Sequence, residues 1–287
     1  MTQRQKRALA IHDISCFGRC SLTVALPILS AAGIETAVVP TAVLSTHTGG
    51  FTGFTYRDLT EDIKPIIKHW RDLGLGFDAV YTGFLGSFAQ IDIVAEVFDL
   101  WRREGALIVV DPVMADDGKL YSIFPADFPN GMRKLCASAD VITPNLTEAA
   151  LLLDIPYNPG PFTRDEIELT LRRLSELGPR RVVLTGVTRA EGPDMLGAAS
   201  YDAQTGEVSF SGLRRLEPMY HGTGDIFASV LTAALMHGKS LALATEAAVR
   251  FTVESLKRSK LAGTDNRFGV NFEEGLAGLR GLIGLPV

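Results

Sequence analysis

His221-Gly222-Thr223-Gly224-Asp225 runs directly into Ile226-Phe227-Ala228 and an apolar stretch that reaches Met236. Glycines on both sides of Thr223 let the backbone approach a ligand closely, and the first free amides of a helix point outward at the positive end of its dipole. The stretch predicts a helix from about Asp225 to His237 whose start is an anion cradle, with a carboxylate at its rim. Asp225 reads on its own as a helix N-cap. Beside a phosphate it suits a second task, taking the proton of a hydroxyl that attacks phosphorus.

Upstream, apolar runs suited to buried strands recur at Leu9–Ile14, Thr36–Pro40, Ala79–Thr82, Leu107–Val110, Val141–Thr143 and Val182–Thr185. Patterns of 3.6-residue period separate most of them, at Leu22–Ala32, Leu59–Leu73, Ile91–Arg103 and Glu166–Leu177. Continuous apolar strands alternating with helices imply a mostly parallel sheet covered on both faces, the three-layer α/β/α class. After Thr185 the alternation stops. Met195–Tyr201 and Val208–Ser211 flank Asp202-Ala203-Gln204-Thr205-Gly206 as a hairpin that could face solvent, and a second helix from about Ser240 to Lys260 follows the first. Pro156–Pro161 reads as a loop. With no repeat, low-complexity segment or composition break, residues 1–287 read as a single domain.

In an open parallel sheet, ligands bind beyond the carboxyl ends of the strands. Here those ends carry Asp13; Ser45-Thr46-His47-Thr48-Gly49-Gly50; Thr82-Gly83-Phe84-Leu85-Gly86; Asp111-Pro112-Val113-Met114-Ala115-Asp116-Asp117-Gly118; Thr143-Pro144-Asn145 with Glu148; and Thr185-Gly186. Loops are rich in such residues anyway. The cradle before Ile226 is what turns six strand ends into one candidate site.

The charge balance of 28 basic against 33 acidic residues gives −5, and basic residues come at most in adjacent pairs. That is no electrostatic footprint for nucleic acid. The apolar run after the basic start is broken by His12 and Asp13, and Ile226–Met236 falls short of the roughly 18 residues of a membrane span. Three cysteines, Cys16, Cys20 and Cys136, form no disulfide framework and fit a reducing compartment. These features lead to the expectation of a soluble cytoplasmic protein. Gly238-Lys239-Ser240 mimics the end of a P-loop, but position 233 is Ala and a helix precedes it, so it reads as a helix-to-helix turn. Gly74-Leu75-Gly76-Phe77-Asp78-Ala79 matches a dinucleotide fingerprint but precedes a strand, which makes it a helix C-cap. The histidines lack metal-ligand spacing; His47 and His221 read as structural or substrate-polarising.

Four stretches carry a family resemblance. Asp111 to Tyr121 is close to D-P-V-M-G-D-x-G-x-x-Y, and Asp140 to Glu148 to A-D-x-I-T-P-N-x-x-E. Gly222 to Ala228 is similar to G-T-G-D-L-F-A, and Ser45 to Gly49 to S-N-H-T-G with Thr46 for Asn. Over about residues 8–256 the chain resembles the pyridoxal (vitamin B6) kinase family of the ribokinase-like superfamily. The resemblance implies phosphorylation of the 5′-hydroxymethyl group of a B6 vitamer by ATP. Asp225 would be the base, with Gly222, Thr223 and Gly224 as the anion hole. Asp111 and Glu148 would organise Mg²⁺ through water; Asn145, Thr185 and Gly186 would face the ATP phosphates. Asp13, Cys20, Thr48, Phe84 and Tyr121 would line the vitamer side, with Asp116 and Tyr121 on a flexible flap. A K⁺ ion near the phosphate loops and a homodimer also follow from the resemblance alone.

The chain departs from the family at Asp13, where Ser is usual, at Phe84, where Tyr is usual, and at Cys20, often Val. A carboxylate at position 13 could pair with a protonated ring nitrogen, the 3-hydroxyl or a cationic amine, which predicts a preference for pyridoxamine or pyridoxine over the aldehyde. Alternatively, Asp13 caps the following turn, and Cys20 is packing. The rival readings are a hydroxymethylpyrimidine kinase and a non-catalytic B6-binding protein. The segment after Ala262, with Asn266-Arg267-Phe268-Gly269 and Glu273-Glu274, reads as surface turn and helix.

Overall fold

The computed structural model describes residues 4–286. In chain order its elements are β1 (Arg7–Ser15), α1 (Leu22–Ala31), β2 (Glu35–Leu44), β3 (Tyr56–Asp58), α2 (Thr60–Asp72), β4 (Ala79–Thr82), α3 (Phe88–Arg102), β5 (Leu107–Val110), β6 (Ala115–Asp116), β7 (Lys119–Leu120), α4 (Phe128–Ala137), β8 (Val141–Ile142), α5 (Leu146–Leu153), α6 (Arg164–Glu176), β9 (Arg181–Arg189), β10 (Gly192–Asp202), β11 (Glu207–Arg214), α7 (Thr223–Met236), α8 (Leu241–Leu261) and α9 (Leu276–Leu282). Short 3₁₀ turns stand at Asn266–Phe268 and Glu273–Gly275.

The apolar runs pair as their composition predicts. Among the described residues, β1, β2, β4, β5, β8 and β9 form the parallel body of a nine-stranded sheet ordered β11-β10-β9-β8-β5-β4-β1-β2-β3. Strands β3, β10 and β11 are added through antiparallel pairs: β3 on β2, β10 on β9 and β11 on β10. From β1 the chain moves outward to β2, then returns to β4 on the other side of β1. Strand order thus reverses between β1 and β4, where open sheets form a ligand crevice.

Side chains on the two faces of the sheet feed two separate cores. Leu9, Ile11, Val80, Ile108 and Val110 pack beneath α2 to α6, whereas Ala8, Tyr81, Val109 and Val183 pack beneath α1, α7, α8 and α9. Every residue of α7 from Ile226 to Met236 is buried, because α7 lies between the sheet, α1 and α8. The all-round apolar sequence of that helix follows from this position.

The structure extends or corrects several expectations. Strand β2 continues four residues past Pro40. Pro40 pairs with His12 on one side, and the partner strand β3 on the other side begins only at Ala42, so no ladder donor is missed. Strand β9 does not stop at Thr185 but runs to Arg189, held by antiparallel pairing with β10. The hairpin expected near Met195–Ser211 is the edge of the main sheet and is covered by α8, so it is not a free solvent-facing arm. Helix α4 was not legible, because Pro129-Asn130-Gly131 imitates a turn; Pro129 instead sits in the first helical turn. After Ala262, Asn266–Phe268 and Glu273-Glu274 are exposed turns as expected, but Gly269 is buried and the segment is anchored by Val270, Phe272, Leu279 and Ile283 in the second core.

Candidate active site

Strand ends and helix starts meet at the crevice. Gly222 is the N-cap of α7 in the left-handed region, φ 78°. A Cβ there would lie 2.0 Å from the Arg19 carbonyl oxygen, so only glycine lets the β1–α1 loop pass so close. A Cβ on Gly224 would meet nothing within 4 Å, and the residue is exposed, so the first amides of the helix open onto free space. Thr223 Oγ1 donates to the Tyr220 carbonyl at 3.4 Å. Asp225 is the third helical residue rather than the N-cap, which frees its carboxylate from capping. It is half-buried. Burial raises its pKa to about 7; the Ser21 amide acts the other way, and the charge of Asp13 adds to the rise. A carboxylate titrating near neutrality is suited to accept a proton.

Asp13 is buried on β1 where the pairing with β2 slips between His12 and Ile14. Such irregularities re-aim side chains at sites. Its Oδ1 accepts from Ser21 Oγ at 2.5 Å and its Oδ2 from Ser15 Oγ at 3.1 Å. Burial raises its pKa against those two hydroxyls. Cys20 is buried, with its thiol pushed well up by burial and then by Asp225 and Asp13. It is a packed, unreactive side chain between two carboxylates.

On the other side of the crevice, Thr143 Oγ1 donates to Asp111 Oδ1 at 3.0 Å. Burial, then the nearby Asp225 charge, raises the pKa of Asp111 to about 8. Glu148 and Asn145 form a reciprocal capping box on α5: Glu148 N donates to Asn145 Oδ1 and Asn145 N to Glu148 Oε2, both at 2.9 Å. Glu148 Oε1 also accepts from Met114 N at 3.1 Å, and Asn145 Nδ2 donates to the Ala115 carbonyl at 2.8 Å. Both side chains thus brace the base of the β6–β7 hairpin. Burial, then Asp111, raises the pKa of Glu148 well above the usual range. None of the ion pairs among the described residues involves Asp13, Asp111, Glu148 or Asp225. A cluster of buried carboxylate oxygens without a cationic partner is the donor chemistry of a hard divalent ion. Among the described residues no group of three His, Cys, Asp or Glu side chains gathers closely enough to ligate a metal directly.

Thr185 and Gly186 lie within β9, not after it. Thr185 N donates to the Pro144 carbonyl at 2.9 Å and bridges to Asn145, which brings the two phosphate-side stretches together. Gly186 is bulged out between Thr185 and Val187, exposed at φ 74°, with open space around it. The hairpin over the crevice turns at Asp117 and Gly118, both at positive φ, and Gly118 N donates to Thr147 Oγ1 at 2.9 Å. Tyr121 closes the hairpin through its amide to the Met114 carbonyl, and its ring stacks 6.5 Å from Phe124. Phe84 packs against Phe124 at 5.6 Å, and Thr48 is exposed between β2 and β3.

His47 is fixed through both ring nitrogens. Gly49 N donates to His47 Nδ1 at 3.2 Å, so Nε2 carries the proton and donates to the Arg267 carbonyl at 2.6 Å. His221 lies against Gly49, where a Cβ would sit 2.5 Å from its ring. Residue patterns did not reveal Ser21, Ser15 or Thr147. Their signal is local: hydroxyls spaced two and eight residues from a strand-end carboxylate, and one within a capping box.

A family model described as phosphomethylpyrimidine kinase matches residues 26–269. The chain belongs to that family. It is 30% identical to the pyridoxal kinase of Deinococcus radiodurans, with 82% of this chain and 79% of the relative covered. Among solved structures, the pyridoxal kinase of Lactobacillus plantarum is 35% identical, with coverages of 96% and 97% and a TM-score of 0.86. A Bacteroides thetaiotaomicron protein described as a candidate phosphomethylpyrimidine kinase, in an orthorhombic form with pyridoxal, is 41% identical, with coverages of 99% and 97% and a TM-score of 0.91. The mostly parallel sheet flanked by helices matches these neighbours and the expected ribokinase-like α/β/α class.

Proposed function

We propose that this chain, acting as one ribokinase-like domain, transfers the γ-phosphoryl group of ATP to the 5′-hydroxymethyl group of a B6 vitamer. The observation that carries the reading is Asp225: a half-buried carboxylate with its pKa raised by burial to about 7, the third residue of a helix whose start is unobstructed, at the carboxyl edge of the parallel sheet. The pyridoxal kinases among its relatives and the Bacteroides neighbour with pyridoxal support the choice of alcohol.

In this reading the amides of Gly222, Thr223 and Gly224 receive the charge that develops on the transferring group. Asp225 aligns the alcohol and takes its proton. Asn145, Thr185 and Gly186 flank the nucleotide phosphates, and the hairpin from Met114 to Tyr121 excludes water. Asp111 and Glu148 would hold Mg²⁺ through water, and the ion would supply positive charge against the phosphates. Asp13, Cys20, Thr48, Phe84 and Tyr121 enclose the pyridine ring. Three free thiols favour a reducing, cytoplasmic setting.

The family description favours one second reading, phosphorylation of a hydroxymethylpyrimidine, whose ring is also planar and carries the same alcohol. ATP consumption with pyridoxine, pyridoxal, pyridoxamine and hydroxymethylpyrimidine separates the two. Turnover with the vitamers supports the proposal; turnover with the pyrimidine alone replaces it. Binding of the vitamers without turnover would leave a non-catalytic B6-binding protein.

A further inference from the structure

The 3₁₀ turn Asn266–Phe268 offers three consecutive carbonyls to three different loops of the site. His221 N donates to the Asn266 carbonyl at 3.3 Å, just before the α7 cradle. His47 Nε2 donates to the Arg267 carbonyl at 2.6 Å, from the loop after β2. Arg19 N donates to the Phe268 carbonyl at 3.2 Å, from the loop between β1 and α1 that carries Cys20 and Ser21. Asn266 Nδ2 adds a bond to the Met219 carbonyl at 3.3 Å.

The turn is itself shaped for this. Asp265 Oδ1 accepts from Arg267 N at 2.9 Å, and its carboxylate holds the Arg267 guanidinium. That guanidinium lies 5.7 Å from the centre of the Phe51 ring, and Phe268 packs edge-on to Phe17 at 5.1 Å and parallel to Phe51 at 6.3 Å. Gly269 follows at φ 82°, buried, where a Cβ would lie 2.8 to 2.9 Å from Arg19 atoms. The loops after β1 and β2 also bond to each other, Cys16 N to the Leu44 carbonyl at 2.8 Å and Phe17 N to the Ser45 carbonyl at 3.1 Å; what joins both of them to the loop at His221 is the row of backbone carbonyls in this turn, remote in sequence. The phosphate-side stretches, Asn145 and Thr185, bond to each other and to Pro144 and Ala115 and have no such tie to the turn.

We infer that the turn Asn266–Phe268 is a positioning element of the alcohol-substrate half of the site, holding the three loops around Arg19, His47 and His221 in one arrangement while leaving the nucleotide half to itself. The inference rests on the proposed function, which puts the loops around Arg19 and His47 on the alcohol side and the loop at His221 beside the alcohol at the transferring group.

Two single variants, Asp265→Ala and Phe268→Ala, loosen the turn without touching Asp225 or any strand-end carboxylate; Phe268→Tyr keeps the ring and serves as the rescue. The measurements are steady-state KM for the alcohol and for ATP, and amide hydrogen exchange of the free protein. The expected result is an alcohol KM raised about tenfold, an ATP KM changed by less than about twofold, and faster exchange at Arg19 and His221 with Thr185 and Asp111 unchanged. Phe268→Tyr is expected to behave as wild type. Equal rises in both KM values, or exchange that quickens throughout the protein, would reduce the turn to a general stabiliser and overturn the inference; so would unchanged exchange at Arg19 and His221. Absence of any alcohol turnover by the wild type would count against the proposed function alone, since the exchange pattern decides the clamp without a substrate.

Discussion

Ser21 stands at the N-cap of α1, yet its hydroxyl caps nothing: it donates to Asp13 Oδ1 at 2.5 Å. Its backbone sits at φ 55°, ψ −130°, a conformation natural to glycine and strained for serine. The helix has given up its side-chain cap, and the backbone its relaxed geometry, to aim one hydroxyl at Asp13 and one amide at Asp225. Both variants Ser21→Gly and Ser21→Ala lose the hydroxyl, but only glycine relieves the strain. Ser21→Gly is therefore expected to be more stable than Ser21→Ala by about 1 kcal/mol. Urea unfolding of the pair at one pH measures this; equal midpoints would show that the conformation is not strained.

The buried carboxylates make stability depend on pH in a set direction. Asp225 and Asp111 have folded-state pKa values raised to about 7 and about 8, so the folded protein holds protons that the unfolded chain releases at lower pH. Their contribution is full below the ordinary carboxylate range and is lost as pH rises through 7 to 8. His12, buried with a pKa lowered to about 3, acts oppositely, but only below its ordinary value of 6.5. Between pH 6.5 and 8.5, without divalent cation, the melting temperature should fall. Asp111→Asn should flatten that fall and raise stability at pH 8 by about 2 kcal/mol, since it removes an uncompensated buried charge. A steeper fall in the variant would contradict the assignment.

Asp13 brings a buried carboxylate to the end of β1, on the side of the crevice proposed for the alcohol substrate. Its negative form favours a cationic partner, so kcat/KM should rank pyridoxamine or pyridoxine above pyridoxal, and Asp13→Ser should erase that ranking. A strong preference of the wild type for pyridoxal would remove the charge argument.

The hairpin over the crevice is held at its tip by Thr147, whose hydroxyl accepts the Gly118 amide. Thr147→Ala should loosen this closure, lowering kcat by about threefold to tenfold and raising ATP hydrolysis without alcohol, in line with the loss of one hydrogen bond of about 1 kcal/mol. Measuring ADP and phosphorylated product in parallel tests it; unchanged coupling would mean that the hairpin does not depend on Thr147.

What the sequence reveals depends on whether the determinant is a side-chain pattern. The parallel strands were legible because Leu9–Ile14 or Leu107–Val110 must be buried on both faces, and the cradle because Gly222-Thr223-Gly224-Asp225 has few other uses. Helix α4 was hidden because Pro129 and Gly131 are read as breakers; Gly131 is needed where the Phe88 ring packs, since a Cβ would come within 2.7 Å of it. The clamp at Asn266–Phe268 was hidden because backbone carbonyls, common to all residues, do the holding. Ser21 was hidden because a strained φ and an amide direction leave no compositional trace. The carboxylates themselves were found, but the roles of Asn145 and Glu148 as a capping box emerged only with their geometry.

The most direct test is the rate of phosphorylated pyridoxine formation by the wild type and by Asp225→Asn, at saturating ATP and Mg²⁺, across pH 6 to 9. Wild-type turnover should vanish without ATP, and the variant kcat should be lower by about 10²- to 10⁴-fold with little change in KM. Variant activity within a few-fold of wild type would contradict the role of Asp225, and with it the reading of the helix start as the place where phosphate and alcohol meet.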